Sequence, residues 1–151
     1  MKVYRVVKSL KRVKDLSGMG AFKNGGRWNS KGTYMLYTSI NSSLAYLENL
    51  VHFDTDVPTN LHIAEIELAD DSMIYQLPDD KYPRDWQSKD NLANKVLGDK
   101  WMLDKKFLGI KIRSAINPSE YNILLNPLFS GYHNKLIIIS TQTIPVDSRL
   151  L

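Results

Sequence analysis

The sequence predicts an α+β fold in a single domain over residues 1–151, with mixed, mainly antiparallel sheet and a few helices. Three observations lead there. Six short stretches, 2–8, 33–39, 61–68, 108–115, 121–125 and 136–141, read as strands by apolar content and period-two alternation. Only two stretches, 44–53 and 88–106, read as longer helices. The two kinds of element do not alternate regularly, which argues against a doubly wound parallel sheet. A chain of 151 residues, 43% hydrophobic and 24% charged, has the size and composition of one globular domain with its own core.

In chain order, the first strand sets Val3, Arg5 and Val7 against Tyr4 and Val6, so Arg5 sits among apolar neighbours and needs an anion or a carboxylate. Residues 11–29 read as irregular, and five glycines fall between Gly18 and Gly32. The second strand carries Tyr37 near its end. Asn41, Ser42 and Ser43 then offer N-caps for a helix whose apolar stripe is Leu44, Leu47 and Val51, with Glu48 at its edge. There Glu48 is either partly desolvated and partnered or turned out to solvent. The third strand alternates His62, Ala64, Ile66 and Leu68 against Glu65 and Glu67. Residues 77–86 form a proline-punctuated connection anchored by Trp86. The second helix, interrupted near Gly98, is expected to turn Leu92, Val96, Trp101 and Leu103 inward. Ser114 ends the apolar row of Ile110 and Ile112, either as a functional hydroxyl or as a satisfied core serine. Asn117-Pro118 and Asn126-Pro127 mark turns, and the strand over 136–141, the most apolar, is expected to be central.

Composition narrows the function. Nothing at the N-terminus resembles a signal peptide, and the longest apolar run, Leu136 to Ile139, is far too short to span a bilayer. Without cysteine there are no disulfides, thiolate metal sites or thiol nucleophile, and the expectation is a cytoplasmic protein. Residues 1–32 hold nine lysines and arginines against Asp15 alone, a local charge of +8 within a chain of +4. Such a front section favours an anionic partner, either a phosphorylated ligand, a nucleic acid or an acidic protein, or is simply a solvated basic edge. Gly18-Met19-Gly20 does not continue as a dinucleotide fingerprint, no Walker-type Gly-Lys-Ser/Thr occurs, and His52, His62 and His133 lack metal-ligand spacing. The glycine-rich stretch around Arg27, a flat bidentate anion binder, is either a plain surface loop or a cradle for an anionic group.

Taken together, the motifs resemble those of RES-domain proteins. Gly25-Gly26-Arg27-Trp28-Asn29 with Lys31-Gly32 and Tyr37-Thr38-Ser39 is similar to the arginine signature, and Leu44 to Glu48 to the glutamate helix. Gly98-Asp99-Lys100-Trp101 is similar to the family's Gly-x-x-Trp, and Arg113-Ser114-Ala115 with Asn122 and Asn126-Pro127 to its serine segment. The closing Asp147-Ser148-Arg149 also fits. Arg113 departs from the family, which usually has proline before the serine.

The resemblance implies a fold like that of ADP-ribosyltransferase toxins and a role as the toxin of a bacterial toxin–antitoxin pair. It implies depletion of NAD+, the substrate, by hydrolysis or phosphorolysis and without a metal. Its partner would be a small helix-turn-helix-type antitoxin covering the active site. The catalytic set becomes Arg27, Tyr37, Glu48 and Ser114, and the cofactor-binding set Arg5, Gly25, Gly26 and Asn122. Breaking the nicotinamide–ribose bond builds positive charge on the sugar, as in glycoside cleavage. Arg27 and the backbone of Gly25-Gly26 would grip the pyrophosphate or adjoining ribose, with Arg5 a second candidate. Tyr37 would pack beside nicotinamide, Glu48 would oppose the developing charge, and Ser114 would position the cofactor. The alternatives are an ADP-ribosyltransferase acting on a protein, an inactive relative kept for binding, and a non-enzymatic nucleic-acid binder; direct nucleic-acid binding is disfavoured because the basic residues adjoin the glycine loop.

Overall fold

The computed structural model describes residues 1–53, 55–70 and 73–151. Its strands are β1 (Lys2–Val7), β2 (Leu36–Ser39), β3 (Asn60–Leu68), β4 (Ile74–Gln76), β5 (Gly109–Arg113), β6 (Tyr121–Leu125) and β7 (Leu136–Pro145). They form one seven-stranded sheet in the order β4-β5-β6-β2-β1-β3-β7. Only the β4–β5 pair is parallel among the described residues, so the fold is α+β. The helices are α1 (Met19–Asn24), α2 (Ser42–Leu50), α3 (Leu92–Asp104) and α4 (Tyr132–Lys135). No helix among the described residues is long and apolar enough to cross a membrane.

Strand alternation sorts side chains onto two faces. Val3, Leu36, Ala64, Ile66, Ile123 and Leu125 share one face and pack with Val13, Tyr132 and Leu136. The other face carries two separate clusters. Val6 and Leu61 pack with Ala45 of α2. Ile110, Ile112 and Leu124 pack with Trp28, Met35 and Met102 near α3. Between these clusters the middle strands present Tyr4, Tyr37, Ser39 and Asn122 on the same face, and all four line one cavity. That gap is where the site lies.

Several elements differ from the sequence expectation. The apolar stretch 136–141 lies in the edge strand β7, not the sheet centre. Leu136 is buried and Ile138 packs on the core, while Ile137 and Ile139 are exposed, so only one face of the strand is covered. On α3 the residues expected inward, Leu92, Val96 and Leu103, are exposed, while Asn94, Gly98 and Met102 are buried and Trp101 is partly buried. A Cβ at Gly98 would collide with the carbonyl of Trp28, so the helix docks by its smallest residue and its leucines turn outward. Likewise on α2, Leu47 and Val51 are exposed, whereas Leu44 and Ala45 are buried. The short α1, β4 and α4 fall in stretches that carry no sustained periodicity.

Candidate active site

The floor of the site is β2 and β6. Their register sets Ser39 opposite Asn122 and Tyr37 opposite Leu124. The wall is α2, started by Asn41, whose Oδ1 accepts the Leu44 N–H at 2.7 Å. Glu48 lies three residues after Ala45 and four after Leu44, hence on the face of α2 that meets the sheet. A cavity of about 170 Å³ opens between wall and floor, lined among others by Tyr37, Ser39, Glu48, Asn49, His52 and Asn122.

Glu48 is held from two sides. Its Oε1 accepts the Ser114 hydroxyl at 2.6 Å and the Asn122 Nδ2 at 2.7 Å. Both donors are oriented in turn. Asn122 Oδ1 accepts the Ser39 hydroxyl at 2.7 Å, which aims its NH2 group at Glu48. Ser114 Oγ accepts the backbone N–H groups of Ile116 and Asn117 at 3.2 and 3.1 Å, so its own proton points to the carboxylate. Ser114 is fully buried and its hydroxyl is fully satisfied. Glu48 Oε2 makes no hydrogen bond among the described residues.

Tyr37 lines the cavity, but its hydroxyl turns inward. It accepts the Trp28 N–H at 3.0 Å and donates to the fully buried Asn29 Oδ1 at 2.7 Å. Burial pushes this phenol above its ordinary value, with the Trp28 N–H opposing the shift. Gly26 is required here: a Cβ would stand 2.6 Å from the Tyr37 hydroxyl oxygen. Gly25 has φ of 72°, the left-handed region that glycine accepts without strain. The amides of both glycines are paired within the chain, Gly25 to the Ala21 carbonyl at 2.8 Å and Gly26 to the Asn29 carbonyl at 3.0 Å. Neither glycine amide is therefore free to grip an anion.

Arg27 does not line the cavity. Its Nη1 donates to the carbonyls of Trp86, Gln87 and Ser88 at 3.3, 2.8 and 3.0 Å, and its Nε and Nη2 make no hydrogen bond among the described residues. It nevertheless stands beside the site, because Gln87 Nε2 donates to the carbonyl of Ala115, the residue after Ser114. Arg5 is different. Its stretch of β1 lines the cavity, but its side chain falls on the opposite face with Val3 and Val7, where its Nη1 donates to the Arg12 carbonyl at 2.7 Å. Burial and the neighbouring Arg12 lower its pKa, although a guanidinium remains charged.

The structure thus brings Tyr37, Glu48, Ser114 and Asn122 together, sets Arg27, Gly25 and Gly26 alongside, and separates the Arg5 head group. The polar lining residues Ser39, Asn49 and His52 receive no role in the site from sequence, Ser39 entering only as the end of the Tyr37-Thr38-Ser39 motif. Asn49 and His52 follow Glu48 closely in the chain, which was the available signal. Asn49 donates Nδ2 to the Val6 carbonyl at 3.0 Å, while its buried Oδ1 has no partner.

Comparison with known proteins identifies this arrangement's relatives. The family model described as RES domain matches residues 2–147. A protein of Yersinia enterocolitica named Toxin Res is 32% identical over 99% of both chains. A Sphingobium protein named Prs ADP-ribosylating toxin is 33% identical over 75% of this chain and 73% of its own. In the crystal structure of the M. tuberculosis MbcT–MbcA toxin–antitoxin complex, one chain superposes with a TM-score of 0.72 at 14% identity, over 95% of this chain and 84% of its own, and so shares the fold.

Proposed function

The chain belongs to the RES domain family, and on that premise we propose that it is the toxin of a toxin–antitoxin pair, acting in the cytoplasm by cleaving the nicotinamide–ribose bond of NAD+. The observation that carries this reading is the Glu48 carboxylate, which lines the cavity and is fixed through Oε1 by Ser114 and Asn122 while Oε2 makes no hydrogen bond among the described residues. A site that must stabilise a developing cation needs a preorganised negative group that does not move during the reaction.

The bond from the ribose C1′ to the pyridinium nitrogen breaks with its electron pair going to the nitrogen. Nicotinamide therefore leaves neutral and needs no strong acid. Positive charge develops on the sugar opposite Glu48 Oε2. A water or phosphate oxygen then bonds C1′, and water loses its proton to solvent. Tyr37 packs beside the nicotinamide half. The free Nε and Nη2 of Arg27 meet the pyrophosphate or the adjoining ribose. At about 170 Å³ the cavity is smaller than the roughly 300–1,000 Å³ of pockets that enclose whole ligands. It takes the reacting end of the dinucleotide and leaves the adenosine half outside, on a surface that an antitoxin of helix-turn-helix type would cover.

A second reading transfers ADP-ribose to a protein, and the name of the Sphingobium relative favours it. Both readings use the same bond cleavage. Incubating the purified protein with NAD+ is expected to release nicotinamide. Mass spectrometry then separates free ADP-ribose or its phosphate from a modified protein. A wild-type protein that releases no nicotinamide overturns both readings.

A further inference from the structure

Outside the cleft, one side chain ties three segments together directly behind Ser114. Arg113 grips the Asp79 carboxylate with a two-pronged contact, Nε to Oδ1 at 2.8 Å and Nη2 to Oδ2 at 3.2 Å. Its Nη1 donates to the Pro118 carbonyl at 2.7 Å, and its guanidinium lies 5.1 Å from the centre of the Tyr121 ring. Its backbone N–H donates to the Tyr82 hydroxyl at 2.8 Å. The guanidinium therefore holds the connection around Asp79 to the turn at 116–120. That turn supplies the two amides, Ile116 and Asn117, that orient the Ser114 hydroxyl. The turn is closed by the Glu120 N–H on the Asn117 carbonyl and by the Ser114 N–H on the Glu120 carbonyl, each at 2.9 Å.

We infer that Arg113 is a positioning residue for Glu48, acting through the 116–120 turn and the Ser114 hydroxyl. This rests on the reading of Glu48 as the group facing the ribose. The Asp79 side chain is 74% exposed, so the ion pair itself adds little to stability. Its effect is geometric: a fork that fits one carboxylate and one carbonyl fixes the turn in a single place. Lysine, with a point charge and no planar fork, cannot make the three contacts together.

The test is a double-mutant cycle on nicotinamide release. Arg113→Gln, Arg113→Lys and Asp79→Asn are each expected to lower kcat about two- to fivefold, no more than loss of the Ser114 hydroxyl itself would, with KM unchanged. In a Ser114→Ala background the same three substitutions are expected to cost nothing further. Equal losses in both backgrounds would assign Arg113 a purely structural role and overturn the inference, as would an unchanged kcat in Arg113→Gln. The second arm does not depend on turnover. In Arg113→Gln, the NMR signals of the Ile116 and Asn117 amides and of the Asn122 side-chain amide are expected to shift, while α3 signals stay in place. Unshifted signals overturn the inference even if the wild-type protein proves unable to cleave NAD+.

Discussion

Glu48 is a carboxylate on a nine-residue helix, and what gives it a defined direction lies far away in the chain: Ser114 is 66 residues on and Asn122 is 74. Each of the three was legible alone, because each sits in a recognisable local motif. Their union was legible only through the family resemblance, since physically it depends on β2 pairing with β6 and on α2 packing against the sheet. Ser39 shows the same limit. It closes the Tyr37-Thr38-Ser39 motif, but nothing in the sequence says that it orients Asn122 from 83 residues away. Arg5 shows the converse. Its apolar neighbours called for an anion or a carboxylate, but the partner is the Arg12 backbone carbonyl on the far face. The hydroxyl of Ser114 contributes one hydrogen bond to Glu48, and an ordinary hydrogen bond is worth about 1 kcal/mol, or roughly a fivefold change in rate. Ser114→Ala is therefore expected to lower kcat about five- to tenfold, far less than loss of the Glu48 charge. Steady-state nicotinamide release checks this, and a Ser114→Ala enzyme as impaired as a Glu48 variant would mean that the hydroxyl itself takes part in the chemistry.

Among the elements, α3 departs most from its sequence pattern. Apolar spacing pointed Leu92, Val96 and Leu103 inward, but close approach to the Trp28 backbone selects the face bearing Gly98. Once that face is docked, Lys95 Nζ reaches the Gly26 carbonyl at 2.9 Å and Asp99 Oδ1 accepts the Ser30 N–H at 2.9 Å. The helix thereby holds the glycine loop from both sides, and Trp101 lies 5.7 Å from Trp28. Steric fit outweighed hydrophobic spacing, and single-sequence periodicity carries no information about a backbone contact of this kind. Two substitutions separate the effects. Gly98→Ala forces a methyl into a backbone carbonyl and is expected to cost about 1–3 kcal/mol, several degrees in Tm for a chain of this size. Val96→Gln, on the exposed face, is expected to stay within about 0.5 kcal/mol. Thermal denaturation followed by circular dichroism checks both, and the reverse order would contradict the packing. The strand β7 repeats the lesson, since apolar content alone does not distinguish a central strand from an edge strand with one covered face.

For the whole molecule, burial and the polar network set the response to pH. Burial raises the phenols of Tyr37 and Tyr132 above their ordinary value. A group whose folded pKa is raised stabilises the fold below its unfolded pKa, about 10 for tyrosine, and loses that contribution as pH rises through the folded value. Stability is therefore expected to fall above about pH 10, and these two of the eight tyrosines to ionise only as the chain unfolds. Tyrosinate absorbance followed alongside circular dichroism checks this. Ionisation of all eight before any loss of ellipticity would contradict the inward placement of the Tyr37 hydroxyl.

Helix α2, strand β6 and the end of β5 bring their side chains together at one carboxylate, and the isosteric variant Glu48→Gln tests it most directly. The amide oxygen can still accept from Ser114 and Asn122, so the fold and the network are kept while the charge is removed. Nicotinamide release from NAD+ is expected in the wild-type protein and to fall about a hundred- to a thousandfold in Glu48→Gln with an unchanged Tm. A Glu48→Gln protein that released nicotinamide at the wild-type rate would contradict the assignment.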